Sequence, residues 1–149
     1  MNHTFDTWER LSRTTQLRFV AQSGHRSGWN GSGEGSVVVA SPSSGTLTFA
    51  ENGRWQPTGG PWLDFRNVFR WSWGASGAIA LEHLRFGVDN PVHLFEMHQE
   101  NAHTWASTAP HVCRDDLYSA TMTLTAHHIE LRWTIQGPRK NEDIRYWYS

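Results

Sequence analysis

Apolar and polar residues alternate in steps of two along most of this chain. In 63–73, Leu63, Phe65, Phe69, Trp71 and Trp73 share one face while Asp64, Arg66, Arg70 and Ser72 share the other, the pattern of a half-buried strand. In 129–136, Ile129, Leu131, Trp133 and Ile135 oppose Glu130, Arg132, Thr134 and Gln136 in the same way. Turn signals separate such segments: Ser23-Gly24, Ser41-Pro42-Ser43-Ser44-Gly45, Thr58-Gly59-Gly60-Pro61, Ala75-Ser76-Gly77, Asp89-Asn90-Pro91, Thr108-Ala109-Pro110 and Gly137-Pro138. They recur roughly every ten to fifteen residues, the spacing of sandwiches and barrels. The pattern predicts strands over 14–22, 32–40, 46–55, 63–73, 78–86, 92–99, 116–126, 129–137 and 142–148. A helix is predicted near 4–12, where Phe5, Trp8 and Leu11 fall on one helical face behind a Thr4 or Asp6 cap, placed to plug one end.

Short turns without helical crossovers mean antiparallel meander topology, and a meander this long removes its exposed edges most simply by closing. The expected fold is therefore all-β: a single-domain, antiparallel up-and-down barrel of roughly 8–10 strands with a short N-terminal helix. A two-sheet sandwich is the alternative.

Composition narrows the function classes. A chain of 149 residues makes one domain with one core. With 38% hydrophobic residues and no uninterrupted apolar run long enough to span a bilayer, no membrane partner is expected. The net charge is −1, and Arg10, Arg13, Arg18, Arg26, Arg54, Arg66 and Arg70 are scattered. Nucleic acid is not an expected partner, because phosphate binding needs a concentrated positive face. The opening MNHTFDTWERLS carries acids where a secretory signal needs a basic start and an apolar run, and Cys113 is the single cysteine. Both features point to the cytoplasm. Nine tryptophans supply flat, rigid rings for a core and for ligand-facing walls.

A family resemblance rests on the C-terminal third, Pro110-His111-Val112-Cys113-Arg114-Asp115-Asp116-Leu117-Tyr118 followed by Trp133-Thr134-Ile135-Gln136-Gly137-Pro138-Arg139-Lys140-Asn141 and a terminal Tyr. With Leu47-Thr48-Phe49-Ala50-Glu51-Asn52-Gly53 and Arg66-Asn67-Val68-Phe69-Arg70-Trp71 upstream, the chain resembles the bacterial family of unknown function numbered 6314. That resemblance implies a calycin-like barrel and no assigned activity. Asn141 stands where an Asp is expected, and the N-terminus is longer and more helix-like. A second stretch, Gly28-Trp29-Asn30-Gly31-Ser32-Gly33-Glu34-Gly35, is similar to the opening of nitrobindin-type barrels, which hold haem. Haem needs an axial ligand that no spacing among the nine histidines singles out, and alternate glycines equally mark a bent strand. No cofactor and no metal are assigned.

Candidate chemistry emerges when the apolar faces are followed to their ends. Leu47 and Phe49 run in register into Glu51; Leu63 and Phe65 into Asn67; Ile79 and Leu81 into His83 and Arg85; Val92 and Leu94 into Glu96 and His98. Polar groups on a core face must find one another, water or a ligand; otherwise they sit at a mouth or beyond a bulge. The candidate ligand-binding set is Glu51, Asn67, Phe69, Trp71, His83, Arg85, Glu96, His98, Tyr118 and Trp133. His111, Cys113, Asp116 and Tyr118 form a second constellation, open to three readings: part of a metal site, an activated thiol, or loop hydrogen bonds around a packed Cys. The basic tip Gly137-Pro138-Arg139-Lys140-Asn141 reads as a solvated turn or an anion catch, and His127-His128 as an exposed turn.

The expected function is binding of a small, partly apolar, anionic organic ligand inside the barrel, with Arg85 meeting its acidic group. The competing class is an enzyme using the same cavity with His83 or His98 as general acid or base. A third is a structural or partner-binding module whose interior is filled by side chains.

Overall fold

The alternation along the chain becomes a curved ribbon of strands that returns on itself. The computed structural model describes residues 3–24, 30–107 and 110–149. A helix α1 (His3–Ser12) is followed by β1 (Gln16–Ser23), β2 (Gly31–Ala40), β3 (Thr46–Pro57), β4 (Leu63–Trp73), β5 (Ile79–His83), β6 (Val92–Asn101), β7 (Thr104–Ala106), β8 (His111–Cys113), β9 (Asp116–Leu124), β10 (Ile129–Gln136) and β11 (Asn141–Tyr148). Every pairing is antiparallel and each of β1 to β6 pairs with the next. The short strands β7 and β8 lie end to end along one edge of β9, so eleven strands make ten staves. Ladders β9 to β10, β10 to β11 and β11 to β1 complete the ring, the last from Leu17 opposite Tyr148 to Ser23 opposite Glu142. The structure is a closed ten-stranded antiparallel barrel with one short helix, and the sandwich alternative falls.

Closure needs sharp curvature, and β2 and β3 supply it with glycine. Gly35 and Gly53 face each other across the ladder; a Cβ on either would collide with the backbone of the other strand. At Gly33 a side chain would run into the Phe19 ring and Trp55. The described part of the glycine-rich stretch is thus a bend with close backbone approach. Gly28 and Trp29 lie outside the described residues.

One end of the barrel is sealed. Helix α1 begins at His3, so Thr4 and Asp6 sit in its first turn and not at the cap. Its Leu11 is fully buried, Trp8 packs on Trp73 at 5.8 Å, and Thr7 Oγ1 accepts a hydrogen bond from the buried Trp105 indole at 3.1 Å. Arg10 donates to the His128 carbonyl at 3.2 Å, tying the helix to the turn before β10. Below the middle, Phe49, Trp71, Ile79, Phe95, Met97, Trp105, Met122 and Leu131 fill the lumen. No helix among the described residues is long and apolar enough to cross a membrane.

Differences from the predicted elements are local. β7 and β8, three residues each, are too short to show a period of two. The strand expected over 78–86 stops at His83, because the chain turns beyond it, the Gly87 amide donating back to the Leu84 carbonyl at 3.1 Å.

If α1 is a structural plug, Leu11→Ala should cost about 2–5 kcal/mol of unfolding free energy, as for other fully buried leucines. Thermal and urea unfolding measure this. A loss under about 1 kcal/mol would mean that the helix does not close the barrel.

Candidate functional site

The end opposite α1 is open. There the inward side chains leave a cavity of about 480 Å³, within the range of small-ligand sites. Its walls are the rings of Phe19, Trp55, Phe65, Phe69, Trp133 and Tyr146, with Val92, Leu94, Ile135 and Ile144 between them. Trp55, Phe65 and Trp133 are only partly buried although they pack on the core, so ring surface faces the open space. Phe19 meets Phe65 edge-on at 5.4 Å and Tyr146 at 5.5 Å. Asn67, His83, Tyr118, Trp133 and Tyr146 bring polar atoms to these walls, and none of their side chains has a protein hydrogen-bond partner among the described residues.

Of the ten predicted ligand-binding residues, Asn67, Phe69, His83, Arg85, Tyr118 and Trp133 line this cavity. Glu51 lies behind the wall, paired in register with Asn67 and only 1% exposed. Trp71 is fully buried in the packed half below and is not part of the lining. Glu96 and His98 are corrected outright. A β-bulge at Leu94, where β5 skips from Leu81 opposite Phe95 to Glu82 opposite His93, reverses the alternation of β6. Leu94 and Phe95 are therefore both buried, and Glu96 and His98 face outward, where they contact each other at 3.4 Å. Arg85 is also placed differently from expectation. It lies beyond the end of β5, exposed at the rim, with its guanidinium over the Phe86 ring at 4.9 Å.

Burial and charge shape the titratable groups. His83 stacks on Phe69 at 4.7 Å and 20°, and burial first, then the Arg85 charge, lowers its pKa. Burial first, then the neighbouring Cys113, Asp116 and Glu142, raises that of Tyr118, with Arg85 acting in the opposite direction. Because Arg85 acts on both side chains, its charge reaches the lumen from the rim. Burial pushes Glu51 up to about 8 from 4.5, partly offset by the hydrogen bond it accepts from the Tyr148 hydroxyl, at 2.7 Å to Oε2. Its Oε1 is buried without a partner. Burial and then the Glu51 charge hold the Tyr146 and Tyr148 phenols well above their ordinary range.

The second constellation is brought together where β8 meets β9. His111 and Cys113 pair with Tyr118 and Asp116 across β8 and β9, and the His111 ring meets His93 edge-on at 4.6 Å. Asp116 packs against Gly137, where a side chain would collide with its carboxylate, and faces Lys140 at 3.8 Å. It thereby holds the Gly137-Pro138-Arg139-Lys140 turn at the cavity mouth, and Lys140 joins the lining. Among the described residues no three His, Cys, Asp or Glu side chains are grouped to hold a metal.

Four lining residues of weight were not predicted: Phe19, Trp55, Lys140 and Tyr146. The signal for Tyr146 was its place in step with Ile144 and Tyr148; Lys140 comes in only because Asp116 anchors its turn. A wider groove of about 590 Å³ runs along the outer wall past Arg18, His128 and Trp147. Along it Arg18 lies over the Trp147 ring at 4.9 Å, and Glu130 accepts from the Trp147 indole at 3.2 Å while touching His128 at 3.2 Å.

Glu51 generates a pH prediction. With its pKa raised in the fold, the folded chain keeps a proton that the unfolded chain releases between about pH 4.5 and 8. Stability therefore falls as pH rises through that window, by at most about 1.4 kcal/mol per pH unit. Glu51→Gln should remove this slope, raising the melting temperature by roughly 5 °C or more at pH 8 while changing it little below pH 4.5. Thermal unfolding across pH checks it; parallel curves for the two proteins would mean that Glu51 ionises freely.

Comparison with known proteins bears on the whole barrel. No curated protein and no solved structure matches the chain. The family of unknown function DUF6314 matches residues 7–149, which takes in part of the helix and every strand from β1 to β11. The chain belongs to that family.

Proposed function

We propose that this barrel binds a small, partly apolar organic anion in its open half, as calycin-like carrier barrels do, and that it works inside the cell. The observation that carries the reading is the set of five unengaged polar side chains, Asn67, His83, Tyr118, Trp133 and Tyr146, converging on an aromatic-walled cavity. Polar groups in folded proteins normally find partners, and a ligand's own donors and acceptors would meet these. A module serving only structure would have filled that volume with side chains, as the lower half of the lumen is filled. The anionic preference follows from the rim, where Arg85 has no acidic partner among the described residues while Lys140 already faces Asp116.

The second reading keeps the cavity and adds chemistry. A depressed pKa leaves the His83 imidazole neutral near pH 7 and able to accept a proton, and Tyr118 stands ready as a donor. His98, on the outer wall, drops out. A binder tolerates His83→Gln, which keeps hydrogen bonding, whereas an acid-base enzyme loses turnover.

Native mass spectrometry of the protein purified from its own cells tests the binding reading, with a small organic adduct as the expected result. Arg85→Ala should weaken binding of the amphipathic anion anilinonaphthalene sulfonate by about fivefold or more, on the order of 1 kcal/mol for a partly desolvated charged contact. Arg139→Ala, on the exposed turn, should change it less than about twofold. Fluorescence titration decides; the reverse order would move the binding surface to the turn.

A further inference from the structure

The cavity has two chemically different ends. Its charged lining residues are Arg66, Arg85 and Lys140 with the acids Asp64 and Glu142, Asp64 being paired with Arg54 at 3.6 Å. At the inner end no charged side chain lines the cavity, and the polar groups are the Tyr146 hydroxyl and the Asn67 amide. Glu51 stands directly behind both: it is the register partner of Asn67 on the same inward face, and its charge acts on Tyr146. One oxygen of Glu51 is taken by Tyr148 and the other, sealed from solvent, has no partner. Opposed residues of an antiparallel pair hold their Cβ atoms about 4.5–5.5 Å apart, so the Glu51 carboxyl group stands immediately behind the wall that Asn67 and Tyr146 present to the cavity.

The chemistry of these groups limits what can sit there. Phe19, Phe49 and Phe69 surround the inner end, and Phe49 meets Tyr148 at 5.3 Å. A second charge among them would be buried without an opposite partner, which is costly. A hydroxyl or carbonyl, by contrast, meets an amide and a phenol that can each donate or accept, backed by a buried carboxyl group. Resting on the binding reading above, we infer that the inner end, formed by Asn67 and Tyr146 with the Glu51 carboxyl group directly behind them, recognises an uncharged hydrogen-bonding group. The ligand class is then a flat, ring-containing acid with a hydroxyl or keto group at the end remote from its carboxylate. Its body lies among Phe65, Phe69 and Trp133, and its carboxylate at Arg85. His83, already stacked parallel on Phe69 at 4.7 Å, offers the flat face such a body needs.

Two probes separate this inference from the reading beneath it: a naphthoate, and a hydroxynaphthoate with its hydroxyl on the ring remote from the carboxylate. Binding is read by quenching of tryptophan fluorescence in wild type, Glu51→Gln and Glu51→Leu, with each variant's folding verified by its thermal transition. The hydroxynaphthoate should bind wild type about tenfold tighter than the naphthoate. Glu51→Gln should keep most of that preference, and Glu51→Leu should reduce it to about twofold or less. Equal binding of the two probes to wild type, or a preference that survives Glu51→Leu undiminished, overturns the inner-end assignment and leaves the anion reading standing. Failure of both probes to bind wild type overturns both.

Discussion

Ring closure is the constraint on which the rest of this structure depends. The ladder between β1 and β11 joins the two ends of the strand meander, and once it forms, every second residue of every strand is committed to a common interior. An open meander could leave a misplaced polar group on a solvated face; a closed one cannot. The tight curvature this demands is met where Gly33, Gly35 and Gly53 let the backbones of β2 and β3 approach without side chains. Closure also divides the lumen. Helix α1 supplies Leu11 as one seal, so the apolar residues of the lower half pack solid, while the upper half has no plug and keeps its space.

The large features of this arrangement were legible in the sequence because they follow from local periodicity. β4 and β10 show their inward faces residue by residue, and the family resemblance was readable in the 110–118 and 133–141 segments. What was not legible depends on contacts between strands. The bulge at Leu94 cannot be read from β6 alone, since Val92, Leu94, Glu96 and His98 alternate faultlessly in one dimension; only the pairing with β5 shows that one residue is skipped. A single extra residue moved two predicted site residues to the outer wall. Trp71 was misjudged for a different reason. It lies on the correct face, but height within the barrel, which decides between packed core and cavity wall, is set by α1 and by strand stagger and not by alternation. Asn67, His83 and Tyr118 were recoverable because they carry polarity on an apolar face at the open end.

Glu51 shows how the same closure bears on chemistry. A carboxyl group in a lumen lined by Phe49, Tyr146 and Tyr148 is destabilising as an anion, and the single hydrogen bond from Tyr148 does not offset its desolvation. An isosteric apolar residue would pack there with less penalty. The position combines a proton retained near neutral pH, a free oxygen and a register neighbour on the cavity wall, none of which a core residue requires. Sites of function are where a fold departs from its local rules at some cost in stability, and a buried carboxyl group with one unpartnered oxygen is such a departure.

The distribution of satisfied and unsatisfied polar groups then separates scaffold from site. Outside, several charged side chains are paired, Arg132 with Asp143 at 2.6 Å and Arg70 with Glu82 at 3.0 Å, and Glu96 lies against the His98 ring at 3.4 Å. Asp116 is used twice, on Gly137 and on Lys140, to fix a turn at the mouth. Inside the open half the opposite holds, with two phenols, an amide, an imidazole and an indole on the cavity wall and none of them in a protein hydrogen bond among the described residues. Both conditions occur in one domain a few ångströms apart, so poor satisfaction is not a general property of this chain. In the packed half the buried Trp71 indole nitrogen and one Glu51 oxygen also lack partners, but the larger group lines the open end, and a ligand with an apolar body and polar ends matches that face in both shape and hydrogen-bonding capacity.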